Sequence, residues 1–239
     1  MPAPSKFITY LKQEAYHPRS SKHGDALCRF VLEDLLAFCP RIAQHGREGG
    51  LVYCLNREVV VGASNWNIDL VLGPPPPGLK PQPASEAIAN SPPVAIRIAI
   101  EAKSIMTEHG KARRNRLRDL DSFHQFVHRY DPNAITGAMT VVNIAPHFRS
   151  PLRAAVSHHP NVTRLVEETI GLLRTLPVCA QPGAAGGLEA NTVIVISHDN
   201  VDAKNTALFT ASPAPRIGDP LNYDSFIRRI CDRYTQRWP

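Results

Sequence analysis

Apolar residues recur along this chain with two periods, helical and strand-like. Between Ser20 and Pro40, Leu27, Phe30, Val31, Leu35 and Phe38 fall at helical spacing. Ser20 and Ser21 stand ready as N-caps and Pro40 as a stop. Leu51–Leu55 and Glu58–Gly62 are short β-rich runs whose junction at Asn56–Arg57 predicts a hairpin, and Trp66–Leu72 predicts a further strand. Val94–Lys103 alternates: Ile96, Ile98 and Ile100 take one face, while Ala99, Glu101 and Lys103 take the other. The charged run from Lys111 to Tyr130 predicts a helix that buries Leu117, Leu120, Phe123, Val127 and Tyr130. Gly137–Ile144 and Asn191–Ser197 read as buried strands, Asn161–Leu176 as a helix and Tyr223–Arg237 as a closing amphipathic helix.

Residues 74–93 hold 8 of the 22 prolines and read as an exposed loop or flap, because consecutive prolines cannot donate ladder hydrogen bonds. The Gly/Ala-rich stretch 180–190 reads as a mobile loop. With no internal repeat, strands alternating with helices predict one α/β domain over residues 1–239, its core spanning about 20–200. Its centre is a mixed β-sheet of about five strands flanked by helices.

Composition changes this picture little. An apolar share of 43% suffices for one core. The 27 Lys and Arg against 21 Asp and Glu give +6, with an isoelectric point near 9.2, which suits a polyanionic partner without requiring one. Five scattered cysteines with no Cys-x-x-Cys pair predict free, mostly buried thiols in a reducing cytosol, and neither a disulfide framework nor a zinc site. The amino terminus has no apolar signal core, and the longest apolar runs are far too short to cross a bilayer. A soluble, cytoplasmic chain is expected.

The chemistry-bearing pattern is Asn67-Ile-Asp69-Leu-Val-Leu, a proline-rich excursion, then Ile98-Ala-Ile-Glu101-Ala-Lys103. Residues two apart on a strand point the same way, so Glu101 and Lys103 share a face. A carboxylate and an ammonium at the end of a core strand carry a desolvation cost that calls for a partner or a function. If the Asp69 strand pairs with this one, Asp69 and Glu101 converge on a divalent cation, with the Ala102 carbonyl as a further oxygen. Such all-oxygen ligation suits Mg²⁺, for which Mn²⁺ can substitute. Lys103 would orient the attacking water and offset charge on a phosphorane-like transition state.

Asp69, a spacer of 31 residues, then Glu101-x-Lys103 on an apolar strand resembles the signature of the PD-(D/E)XK, restriction-endonuclease-like nucleases. The resemblance covers roughly residues 20–145: a helix, the hairpin with Asp69, the Glu-x-Lys strand, a helix and a further strand. Ile68 stands where that superfamily often has proline. The resemblance implies a restriction-endonuclease-like core, metal ligation by Asp69 and Glu101, and assistance to hydrolysis by Lys103. It also implies a supporting helical carboxylate, for which Glu33 is the candidate, with Asp25 behind it. The implied activity is Mg²⁺-dependent hydrolysis of DNA, duplex by expectation, in a restriction enzyme or an anti-phage effector. Effectors of that kind often form homo-oligomers, or answer to a nucleotide messenger or a partner such as an Argonaute. The alternative is a non-catalytic nucleic-acid- or protein-binding module on the same fold.

Lys111, Arg113, Arg114, Arg116 and Arg118 follow at the start of a helix and are candidate DNA contacts, with Asp119 and Asp121 offsetting part of their charge. Three other patterns carry less. Gly73 to Lys80 imitates a phosphate-cradling loop, but its four prolines lack the needed N–H groups. Ser197-His198-Asp199 has the wrong spacing for a triad, and His158-His159 reads as a surface loop.

Overall fold

Continuous apolar runs become inner strands and amphipathic runs become covering helices in the computed structural model, which describes residues 1–78, 87–107, 109–179 and 186–239. Helices α1 (Ala3–Gln13), α2 (Lys22–Phe38) and α3 (Pro40–Arg47) precede strands β1 (Val52–Val61), β2 (Ser64–Gly73), β3 (Ala89–Asn90) and β4 (Ile98–Ile105). Then come α4 (His109–Tyr130), β5 (Ile135–Asn143), the short β6 (His147–Phe148) and β7 (Ser157–His158), and α5 (Val162–Leu173). β8 (Ala190–Ser197), β9 (Ala207–Leu208) and α6 (Tyr223–Arg237) complete the order.

Seven strands form one sheet in the order β3-β1-β2-β4-β5-β8-β9, and β6 pairs with β7 apart from it. β4, β5 and β8 run parallel at its centre, while β2 is antiparallel to both β1 and β4. The fold is therefore α/β, with a mixed sheet flanked by helices. The strands beyond the expected five are β3 and β9, two-residue edges too short to leave a periodic signal.

Alternation sorts the sheet into two apolar faces. Leu70, Leu72, Ile98, Ile100 and Met139 pack beneath α1, α2, α3 and α6. Val71, Ala99, Ala138, Val142 and Val195 pack beneath α4 and α5. The result is three layers, helix on sheet on helix. α6 comes down onto β5 because Gly137 has no side chain: a Cβ there would stand 3.1 Å from the Phe226 ring.

Several expectations need correction. The hairpin does not turn at Asn56–Arg57. β1 continues to Val61, which pairs with Ser64, so the reversal falls on Gly62 and Ala63. Gly62 has φ 60°, the left-handed first residue that a two-residue hairpin loop favours. Asn56, at φ 52°, is a left-handed break inside a continuous strand. Phe38 and Tyr130, assigned to buried helix faces, emerge exposed at the ends of α2 and α4. Cys39 and Cys231 are disulfide-bonded with Cα atoms 5.3 Å apart, which overturns the expectation of five free thiols. Cys28, Cys54 and Cys179 stay reduced. The expected flap at 74–93 and loop at 180–190 lie partly outside the described residues, at 79–86 and 180–185. Among the described residues, no helix is long and apolar enough to cross a membrane.

Candidate active site

β2 and β4 pair through Leu72–Ile98, Val71–Ala99 and Leu70–Ile100, and there the ladder ends. Asp69 and Glu101 are the next residues on the two strands, so they face each other just past the last pair. β2 also changes phase at this point. Ile68 packs on the α4 side with Val71, whereas Leu70 packs on the α2 side with Leu72. Strict period-two alternation would keep Ile68 and Leu70 on one face, so β2 pivots at Asp69, across from left-handed Asn56. Ending the ladder leaves the Ala102 N–H without a strand acceptor, and Asp69 Oδ2 accepts it at 2.7 Å. The N–H and C=O of one strand residue project to the same edge, which brings the Ala102 carbonyl to this edge as well.

Glu101 is 1% exposed, its Oε1 accepts Lys103 Nζ, and its Oε2 has no hydrogen-bond partner among the described residues. Burial first, and the Asp69 charge second, push the Glu101 carboxyl up to about 7, against the pull of the Lys103 ammonium and, more weakly, the Trp66 indole. Burial also raises the Asp69 carboxyl, opposed by Lys103 and the Ala102 N–H and reinforced by Asp25. Two crowded carboxylates, an orphaned buried oxygen and a backbone carbonyl fit a hard divalent cation, with no thiolate or imidazole in the set. Among the described residues, no group of three or more His, Cys, Asp or Glu side chains is arranged to hold a metal ion. Ligation would rest on the pair and the backbone.

Set against protein-family models, curated proteins and solved structures, the chain matches none.

The other candidate residues divide. Glu33 lies away from the site, exposed on α2 and paired with Lys6 Nζ at 2.7 Å. Asp25, two turns earlier on the same helix, is near enough to raise the Asp69 carboxyl. Its oxygens accept Asn56 Nδ2 at 2.8 Å and Ser21 Oγ at 3.1 Å, which anchors the start of α2 to the left-handed break in β1. Of the five candidate cations at the start of α4, Lys111 and Arg116 border recesses beside the site. Arg113 is turned to α5 and bonds Glu168 at 2.5 Å, while Arg114 and Arg118 are exposed. Asp199 serves its own loop, accepting from the N–H groups of Val201 and Asp202.

Tyr16, Ser104 and Asn200 had no sequence signal. Tyr16 OH and Ser104 Oγ share a hydrogen bond of 2.5 Å beside Lys103. Asn200, held left-handed at φ 59°, clamps the Tyr16 backbone from both sides: its Oδ1 accepts the N–H at 2.7 Å and its Nδ2 donates to the carbonyl at 3.0 Å. A lone Asn in a Ser-His-Asp-Asn run is a faint hint of a left-handed turn, and nothing in the sequence points it at residue 16.

Proposed function

We propose that this chain is a Mg²⁺-dependent nuclease of the PD-(D/E)XK type that hydrolyses DNA phosphodiester bonds. One observation carries the proposal: Asp69 and Glu101, from separate strands, meet at a ladder end beside Lys103, with one Glu101 oxygen left without a hydrogen-bond partner among the described residues. The order α2, β1–β2, β4, α4, β5 also matches the order of elements that the resemblance implies. It supports a restriction-endonuclease-like core.

Asp69, Glu101 and the Ala102 carbonyl would hold the cation, which when bound supplies Lewis-acid chemistry at the phosphodiester. The Lys103 ammonium orients the attacking water and offsets the negative charge that grows on the phosphorus-bound oxygens. Lys111 and Arg116 steady phosphates along the recess, and the exposed Arg114 and Arg118 add steering charge. In the cell, the proposal is a restriction or anti-phage effector nuclease working as a homo-oligomer.

Supercoiled plasmid and single-stranded circular DNA test this directly. Nicking is expected in Mg²⁺ or Mn²⁺ and none in EDTA, and Asp69→Asn, Glu101→Gln and Lys103→Ala should each abolish it. Undiminished cutting in chelator sinks the metal mechanism. Binding without cutting by the wild type would leave the non-catalytic module instead.

A further inference from the structure

The recess beside Asp69 and Lys103 has a volume of about 200 Å³ and is walled by Tyr16, Pro18 and Ser20 from the segment between α1 and α2. A second recess of about 270 Å³ shares Tyr16, Pro18, Ser104 and Arg116 with it and runs on past Lys111 and Asn115. The two adjoin where Tyr16 and Arg116 line both. The Tyr16 wall is rigid. Its ring stacks on His23 at 4.8 Å and meets Phe148 edge-on at 6.0 Å, while Asn200 and Ser104 hold its backbone and hydroxyl. Arg116 gives Nη1 to Asp119 at 2.8 Å, and its buried Nε has no partner among the described residues.

We propose that the joined recesses are a track for one unpaired polynucleotide strand, in which Arg116 grips the phosphate next to the scissile one. This rests on the nuclease assignment of Asp69, Glu101 and Lys103, and narrows its substrate from duplex DNA to an unpaired strand or strand end. Glu101 is nearly inaccessible, so a scissile phosphate must approach by way of Asp69, Ala102 and Lys103, which line the recess. In a duplex, that phosphate arrives flanked by stacked bases and a partner strand, in the space the fixed Tyr16–Pro18 wall occupies. An unpaired strand can rotate its bases aside and follow the joined recesses. A cationic groove that tracks the backbone is the common part of single-strand sites. Here Lys111 and Arg116 line the second recess together with Asn115.

The test is read in EDTA, where no turnover occurs. Fluorescein-labelled oligothymidylate and a blunt duplex of equal length are titrated by anisotropy across a salt series. The single strand should bind the wild type about tenfold more tightly than the duplex. Arg116→Ala should weaken single-strand binding by about tenfold and flatten its salt slope by about 0.7, the loss of one phosphate contact. Arg116→Lys keeps the charge and should recover the slope, which separates phosphate contact from a role in folding. A duplex bound as tightly as the single strand, or a slope indifferent to Arg116→Ala, overturns the proposal. A chain that cuts plasmid but holds both probes alike loses the track alone. One that prefers the single strand but cuts nothing in Mg²⁺ keeps the track and loses the nuclease.

Discussion

The Lys103 ammonium is the cation that draws both Asp69 and Glu101 toward ionisation, while burial and their mutual repulsion draw them away from it. Removing one carboxylate charge relieves that repulsion in the metal-free protein. Asp69→Asn and Glu101→Gln should therefore melt no lower than wild type in EDTA, whereas Lys103→Ala should melt lower and recover partly in Mg²⁺. A purely structural ion pair predicts the opposite, since Glu101→Gln would strand a buried cation at a cost of about 3–5 kcal/mol. Lys103 retains 21% of its side-chain exposure and can reach water, so no such loss is expected. Thermal melts of the three variants with and without Mg²⁺ decide, and a deep drop for Glu101→Gln in EDTA would remove the catalytic assignment. These three residues were legible in the sequence because a charge on an apolar strand stands out against its neighbours. Asp25 and Glu33 were not separable. Both sit on α2 with similar surroundings, and their orientation toward β2 depends on how the helix packs, which spacing alone does not state.

At the scale of elements, one carboxylate ties three of them together. Glu189, just ahead of β8, accepts Arg237 Nη2 of α6 at 2.7 Å and the Thr136 N–H and hydroxyl of β5 at 2.8 and 2.7 Å. His128 Nε2 of α4 stands 3.7 Å away. Burial pushes the Glu189 carboxyl up, but the nearby His128 imidazole and the bonds from Arg237 and Thr136 outweigh it and hold the group at about 2. A depressed folded value means that the unfolded chain binds the proton first on acidification. Its stabilising contribution is thus whole above the ordinary value of 4.5 and is lost as pH falls from there toward 2. The loss should be roughly 3 kcal/mol. Urea melts between pH 5 and pH 2.5 check this: Glu189→Gln should start less stable and vary less with pH. A variant as acid-sensitive as wild type would place the acid response elsewhere. The sequence hid this carboxylate, because residues 180–190 read as a loop while Leu188, Glu189 and Ala190 are buried. The longer elements β5, β8 and α6 were legible from their apolar periods. The hairpin was misplaced because Asn56 has the chemistry of a turn residue and spends it on a left-handed kink.

For the molecule as a whole, the Cys39–Cys231 bond joins the N-terminal helices to the last one, on the same face of the sheet. α2 and α3 meet at Cys39, and α6 reaches them only after 192 residues of chain. Spacing gave no hint of the pairing, since contact depends on α6 returning to the face that α2 covers. Closing so long a loop constrains the unfolded chain and stabilises the fold by about 5 kcal/mol on a chain-entropy estimate. For a protein of this size, reduction should then lower Tm by about 10 °C or more. Cys39→Ser should melt near the reduced wild type and ignore added dithiothreitol. Denatured without reductant, the wild type should show three reactive thiols, rising to five after reduction. Five thiols before reduction, with a Tm indifferent to dithiothreitol, would mean that α6 is held by packing of Phe226, Ile230 and Tyr234 without covalent help. Asp69 and Glu101, the proposed active-site pair, lie on β2 and β4, whereas the bridge joins Cys39, between α2 and α3, to Cys231 of α6. Plasmid nicking by the reduced wild type at a temperature below its Tm should therefore match that of the oxidised protein, leaving the bridge a determinant of stability rather than of chemistry.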